Sequence, residues 1–274
     1  MVKIFIDPGH GGVDGGAGRA PYLEKELVLT LSTRLRNYLQ NNFENVSIAM
    51  SRSADATLSL SDRTTAANRW GADFLISIHF NAFNGVARGY EDFVYSTIAA
   101  GSRTENIRIA IHNEVVSRVL NKYGIPNRGR KKANFHMVRE SNMPAVLVET
   151  LFVDNAADQR LIANANFIND IVAAYGEGIA RGMNLRRKAA PVSAPAPTAP
   201  TTGTLYRVQC GAFSNRRNAE ALEARLKRSG YPAFITSSNG LFRVQCGAFS
   251  SRENAERLES NLRKDGFPVY IYRG

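Results

Sequence analysis

Apolar residues along this chain follow two patterns. Ile4-Phe5-Ile6, Val46-Ser47-Ile48-Ala49-Met50, Phe74-Leu75-Ile76-Ser77-Ile78 and Ala145-Val146-Leu147-Val148 are short, nearly continuous apolar runs rich in branched side chains. Runs of that kind predict strands buried on both faces. Between them apolar residues recur at helical spacing: Leu27, Leu31, Leu35 and Leu39, and later Ile107, Ile111, Val115 and Val119. The first series predicts a helix of about four turns, entered through Glu24 and Glu26, where the helix dipole favours acids. The second predicts a helix over 104–123. Further helices are predicted at Ser61–Asn68, closed by Trp70-Gly71, and over 164–183, with a weaker strand at Gly89–Tyr95. Alternating strands and helices predict an α/β unit: a mixed, mostly parallel sheet flanked by helices.

The pattern changes after residue 185. Residues 186–203 are dominated by Ala, Pro and Thr with nothing to bury, which predicts an extended linker. Beyond it Tyr-Arg-Val-Gln-Cys-Gly-Ala-Phe at Tyr206–Phe213 recurs as Phe242–Phe249, 36 residues later with only its first residue changed. Each copy continues into an Asn-Ala-Glu helix and a Gly-aromatic-Pro step. Two such units predict a small α+β ferredoxin-like βαββαβ domain over 204–274. The expected organisation is a domain over 1–185, a linker, and this repeat domain.

Several predicted strands and one helix deliver polar groups. Ile4-Phe5-Ile6 runs into Asp7-Pro8-Gly9-His10-Gly11-Gly12, where the breaker residues end the strand and leave a histidine in a glycine loop. Phe74–Ile78 delivers His79, Ala145–Val148 delivers Glu149, and Glu24 opens the first helix. Two imidazoles and one carboxylate form a ligand set for catalytic zinc with a position left for water. A further carboxylate suits a general base and proton donor. No Cys pair near these residues and no Gly-x-Ser-x-Gly elbow competes for the nucleophile role. Glu26 is a local rival of Glu24. Asp7 and Asn81 read as groups that brace the loop or the ligands. His112 is predicted on a helix surface, and His136 is left open between substrate contact and no role. Arg128–Lys132 reads as a solvated basic loop, with contact to glycan or an anionic stem as the sharper alternative.

With these residues in view, Asp7-Pro-Gly-His-Gly-Gly, Glu24-Lys25, Ser77-Ile-His-x-Asn81 and Pro144-Ala-Val-Leu-Val-Glu149-Thr resemble the zinc-dependent N-acetylmuramoyl-L-alanine amidases of the amidase-3 type. The resemblance covers about residues 1–184. It implies hydrolysis of the amide between the muramoyl lactyl group and the L-alanine of the peptide stem. It further implies one zinc on His10, Glu24 and His79, with Glu149 as acid/base. The chain departs from the family pattern at Leu151, where Gly or Asn is usual. The repeats over 204–273 resemble the SPOR domain, a peptidoglycan-binding module. Strand alternation puts Val208, Cys210, Val244 and Cys246 on the helix-covered face. Arg207, Gln209, Arg243 and Gln245 then fall on the open face that meets glycan. Cys210 and Cys246 read as small core residues. A disulfide between them is disfavoured, because repeat symmetry would set them on parallel neighbouring strands, a poor geometry for bridging.

Charge sharpens the expected partner. Residues 186–274 carry 15 Lys and Arg against 6 Asp and Glu, and residues 1–185 carry 20 against 18. The basic excess therefore belongs to the C-terminal part and speaks of an anionic partner. Peptidoglycan is expected, as substrate and as glycan ligand. An RNA-recognition motif shares the repeat topology but stacks bases on sheet aromatics, whereas these strand centres carry Arg and Gln, so no nucleic acid is expected. No apolar run reaches the length of a membrane span, and Met1–Asp7 enters a strand with no signal-peptide pattern. The expectation is a monomer made in the cytoplasm that reaches the wall on lysis, as a sporulation autolysin or a phage endolysin. The intact SPOR repeats favour the autolysin. The alternatives are another zinc hydrolase, such as a peptidase or deacetylase, and a wall-binding protein with an inactive site.

Overall fold

The computed structural model describes residues 1–188, 205–229 and 231–273. They fall into two compact units that meet in sequence between Lys188 and Ala189. The first unit runs β1 (Val2–Pro8), α1 (Glu24–Asn42), β2 (Val46–Met50), α2 (Leu60–Trp70), β3 (Phe74–Asn81), β4 (Tyr90–Tyr95) and α3 (Arg103–Val115). A π-helical turn (Val116–Leu120) and α4 (Asn121–Tyr123) extend α3. Then come β5 (Asn127–Ala133), α5 (His136–Arg139), β6 (Ala145–Phe152), α6 (Ala156–Ile162) and α7 (Ala165–Gly182).

The six strands lie in the order β2-β1-β3-β6-β4-β5. All neighbours are parallel except β4 against β6, so the sheet is mixed and mostly parallel, as the alternating pattern predicts. Ile4, Ile6, Ile76, Ile78, Val146 and Val148 point to one face. There they meet Val28, Leu31, Leu35 and Leu39 of α1 together with α3 and α7. The alternate residues Phe5, Leu75 and Leu147 point to the other face, against Ala67 of α2 and Met137 and Val138 of α5. Each fully buried Leu or Ile contributes roughly 1.5–3 kcal/mol. Two covered faces are what near-continuous apolar strands require.

Three elements differ from the sequence expectation. Glu149 does not end its strand: β6 continues to Phe152 through the buried Leu151. The predicted basic loop at Arg128–Lys132 is the edge strand β5. Its side chains alternate between half-buried and exposed, so it lacks the apolar run that marks the central strands. His112 is buried in α3, with Nδ1 2.6 Å from Asp92 Oδ2 and Nε2 3.1 Å from Asn127 Nδ2.

The chain leaves the first unit later than residue 185. Backbone N–H groups of Glu44 and Lys188 donate to Arg186 and Asn42 carbonyls at 2.8 Å, so residues 186–188 pack on the end of α1. The rest of the expected linker lies outside the described residues.

The second unit is β7 (Tyr206–Phe213), α8 (Arg216–Arg228), β8 (Phe234–Ser238), β9 (Leu241–Phe249), α9 (Arg252–Lys264) and β10 (Tyr270–Arg273). Its sheet order is β10-β7-β9-β8, with every neighbour antiparallel. This is the predicted βαββαβ arrangement. Val208, Cys210, Val244 and Cys246 are buried with Ala219, Leu222, Leu226, Ala255 and Leu262 from the helices. The repeat strands β7 and β9 are antiparallel, with Gln209 opposite Gln245, so the expectation that the two cysteines lie on parallel neighbours is wrong. The repeats place equivalent strands side by side and running in opposite directions.

Candidate metal centre and active site

The site is assembled where β1, β3 and β6 run toward α1. After Pro8 the chain turns at Gly9, whose N–H donates to the Ile78 carbonyl at 3.1 Å. A Cβ at Gly9 would lie 2.2 Å from the His79 imidazole, so only glycine lets the loop approach that ring. His10 then adopts a left-handed backbone, φ 57°, which is uncommon for a side-chain-bearing residue. Two buried guanidinium groups hold it there. Arg63 NH2 donates to the His10 carbonyl at 2.6 Å and NH1 to the Pro8 carbonyl at 2.7 Å. Arg52 NH2 donates to the Gly9 and Lys25 carbonyls at 2.7 and 2.8 Å, tying the loop to α1. Asp7 anchors this arrangement. It is fully buried and accepts from Arg63 NH1 at 2.9 Å and from the Ser51 and Ser77 hydroxyls at 2.6 and 2.7 Å. Asp7 thus braces the loop and is not part of the group that could hold a metal.

His10, Glu24 and His79 converge, each offering one ligand atom within 4.8 Å of the others. Glu24, the first residue of α1, places Oε1 3.2 Å from His10 Nε2 and 3.0 Å from His79 Nδ1. The same oxygen accepts from the Phe80 N–H at 3.0 Å, and Oε2 accepts from the Ala17 N–H at 2.7 Å. Glu26 has no part in this constellation. A group missed in the sequence completes it: Asp14 Oδ2 lies 2.8 Å from His10 Nδ1. In the neutral ring that contact assigns the proton to Nδ1 and leaves Nε2 free to bind a metal, a common way to orient a ligating histidine. The sequence signal is slight, one acid four residues on in the same glycine loop.

Electrostatics favour positive charge at this point. Burial opposes the His10 imidazolium, yet Glu24 and Asp14 outweigh it and raise the pKa to about 9. His79 is likewise raised against its own burial, through Glu24 and Glu149. Burial works against the Glu24 carboxylate too, but the two imidazoles hold it well below the usual range. Two nitrogens and a carboxylate oxygen so disposed match the donor set of catalytic zinc.

Glu149 lies on β6 directly across from His79 on β3 and Glu91 on β4. Its Oε2 is buried with no hydrogen-bond partner. Burial, then the Glu24 and Glu91 charges, raise its pKa to about 7 against the opposing pull of His79 and His10. A carboxyl poised near neutrality suits proton transfer in either direction. Asn81 donates to Glu91 Oε1 at 2.8 Å, while Arg128 Nε at 3.0 Å and the Lys131 ammonium meet Oε2. Asn81, Arg128 and Lys131 therefore hold Glu91, the carboxylate beside Glu149, an arrangement no local pattern announces. His136 opens α5 with Nε2 3.2 Å from Thr64 Oγ1.

In the second unit Arg207, Gln209, Arg243 and Gln245 line one concavity on the sheet face away from the helices, with Thr236, Ser238, Tyr270 and Tyr272. Gln245 lies deepest, buried and bonded to the Tyr272 hydroxyl. Tyr270 and Tyr272 are nearly parallel, ring centroids 6.3 Å apart. No helix among the described residues is long and apolar enough to cross a membrane.

Fold and site together define an α/β protein with a three-residue candidate metal centre and an unpartnered carboxylate beside it. Residues 4–181 match the family model described as N-acetylmuramoyl-L-alanine amidase, and the chain belongs to that family. Residues 202–273 match the SPOR domain. The N-acetylmuramoyl-L-alanine amidase CwlM of Bacillus licheniformis is 42% identical over 86% of this chain and 85% of its own length. The sporulation-specific N-acetylmuramoyl-L-alanine amidase of Bacillus subtilis (strain 168) is 39% identical over 86% of this chain and 84% of its own length. Among solved structures, the N-acetylmuramoyl-L-alanine amidase of Clostridium difficile 630 superposes with a TM-score of 0.61 at 31% identity, covering 67% of this chain and 97% of that one.

Proposed function

We propose that this protein is a zinc-dependent peptidoglycan amidase that cleaves between the muramoyl lactyl group and L-alanine and is held on the wall by its SPOR domain. The observation that carries this reading is the unpartnered Glu149 oxygen on the strand next to His79, beside the His10–Glu24–His79 cluster. Zinc held by those three side chains would polarise the scissile carbonyl and acidify water. Glu149 takes a proton from the attacking water and returns it to the alanine nitrogen as the C–N bond breaks. The water oxygen stays on the lactyl carboxylate, and the stem leaves as a free amine. Asp14 fixes the His10 tautomer. Arg63 and Arg52 keep the loop carbonyls of residues 8–10 in place.

The open sheet face of the second unit supports glycan binding through Arg207, Gln209 and Arg243, with Gln245 beneath them and the two tyrosine rings at one edge. Similarity to a sporulation-specific amidase over 86% of this chain, against 68% for the endolysin of Bacillus phage SPP1, favours an autolysin that reaches the wall on cell lysis.

The test is digestion of purified walls by the native enzyme, the chelated enzyme and Glu149→Gln, with identification of new N-termini and reducing ends. New L-alanine amines without new reducing sugars are expected, absent from both controls and restored to the chelated enzyme by zinc. A different new N-terminus would make the enzyme an endopeptidase, and wall binding without cleavage would leave only the binding module.

A further inference from the structure

Cys210 and Cys246 occupy equivalent places in the two repeats, and both are buried on the helix-covered face of the second sheet. Strands β7 and β9, which carry them, are antiparallel neighbours at the centre of that sheet. The register pairs Val208 with Gly247, Gln209 with Gln245 and Gly211 with Val244. Each cysteine is thus the extra residue of a β-bulge, one on each strand, with no partner across the ladder. A bulge re-aims the side chain it carries, and here the two bulges turn both thiols toward each other, Sγ to Sγ 3.1 Å. Two sulfurs that close need only small movements to reach bonding distance. Both thiols belong to an apolar cluster with Val208, Val244, Ala219 and Leu262, and each has the other as its hydrogen-bond partner; the Tyr231 hydroxyl near them is bonded to Asp265.

We infer that Cys210 and Cys246 are an oxidation site, at which hydrogen peroxide converts the two thiols into one disulfide joining the repeats across β7 and β9. The electrons balance in two steps. One sulfur attacks the peroxide, the O–O bond breaks, that cysteine becomes a sulfenic acid, and water leaves. The second sulfur then attacks the sulfenic sulfur, the S–O bond breaks, and a second water carries away the remaining thiol proton. Two thiols lose two electrons in all, and the peroxide gains them.

The consequence is a covalent staple through the middle of the second unit. It cross-links residues 36 apart and restricts the unfolded chain far more than the folded one. The glycan-facing residues lie on the opposite face of the sheet, so the staple stabilises the unit without covering that surface. A small domain with one modest core gains most from such a link.

The experiment uses the full chain, treated with hydrogen peroxide under native conditions, then denatured, alkylated and weighed. The expected product is a monomer about 2 Da lighter that takes up no alkyl group. Its tryptic digest should contain one linked pair, Val208–Arg216 joined to Val244–Arg252. The melting midpoint of the second unit should rise by about 10 °C or more and fall back on reduction. In the double variant Cys210→Val and Cys246→Val, peroxide should cause neither the loss of about 2 Da nor a shift in the second unit's midpoint; sulfoxide at the five methionines, all within residues 1–188, adds mass to both proteins alike. Two alkylatable thiols after oxidation, added oxygen without the linked pair, or cross-links between molecules would each overturn the inference. The mass measurement needs only the native protein, so it decides the matter even if the double variant fails to fold.

Discussion

The two units handle charge in opposite ways. In the first, Asp7, Arg52, Arg63, Glu91, Asp92 and Arg108 are buried. Several of their partners lie 40 or more residues away, as for Arg63 with Asp7 and Arg52 with Gly9. In the second, the charged pairs are one helical turn apart and exposed to solvent: Arg216–Glu220, Lys227–Glu223, Arg252–Glu256 and Arg263–Glu259. A buried ion pair that loses one member leaves an uncompensated charge, whereas an exposed pair exchanges its partner for water. A reacting centre needs its groups held at fixed points, and a buried network supplies that. A binding face needs an accessible surface on a stable support, and an apolar core beneath a sheet is enough.

The contrast is broken most deeply at Glu149, the proposed acid/base. Glu149→Gln keeps the shape and removes the titratable oxygen, so turnover on purified walls should fall by about 10²–10⁴-fold. Metal content and wall binding should be unchanged; an equal loss of bound metal would instead make Glu149 a ligand. Next in size is Arg63→Ala, which leaves the Asp7 carboxylate buried against two hydroxyls. The first unit should lose about 3–5 kcal/mol in denaturant melts while the transition of the second unit stays where it was. Gly9→Ala probes position without touching a candidate ligand. A Cβ there would lie 2.2 Å from the His79 ring, so zinc affinity measured by competition with a chelator should fall at least about tenfold.

The remaining two tests address the second unit. Replacing Arg207 and Arg243 together by Ala should weaken binding of the intact protein to walls by about tenfold and reduce its salt dependence. Activity on a soluble muramoyl-peptide should not change. Smallest of all, Arg216→Ala should move the melting midpoint by less than about 2 °C. A larger shift would mean that surface pairing, not the apolar core, carries this unit.

The candidate site is legible in the amino-acid sequence because its members sit at or close to the points where buried strands and a helix begin or end. A near-continuous apolar run that ends shortly before His10, or that carries His79 close to its end, announces both the strand and the group it delivers. Of the braces, Asp7 and Asn81 are legible as such and the others are not. Asp14, Glu91, Arg128 and Lys131 carry no pattern of their own, and their meaning depends on what lies across the sheet or the loop. Strand β5 is hidden for a related reason: an edge strand buries little, so Asn127-Arg-Gly-Arg-Lys-Lys reads as a loop. His112 reads as a surface residue because helical spacing says which face a residue is on but not how deep that face lies.

The amino-acid order by itself determined the α/β pattern, the repeat domain, the four polar groups of the site, and the family resemblance they carry. These rest on local periodicity and on chemistry placed at the ends of elements. Only the tertiary structure decided that Asp7 holds Arg63 and that Glu91 stands beside Glu149. The same holds for Cys210 and Cys246, which face each other because equivalent strands run antiparallel. Each of these depends on strand direction and register between distant segments. A chain's periodicity fixes which face a side chain takes, but not which neighbour that face will meet.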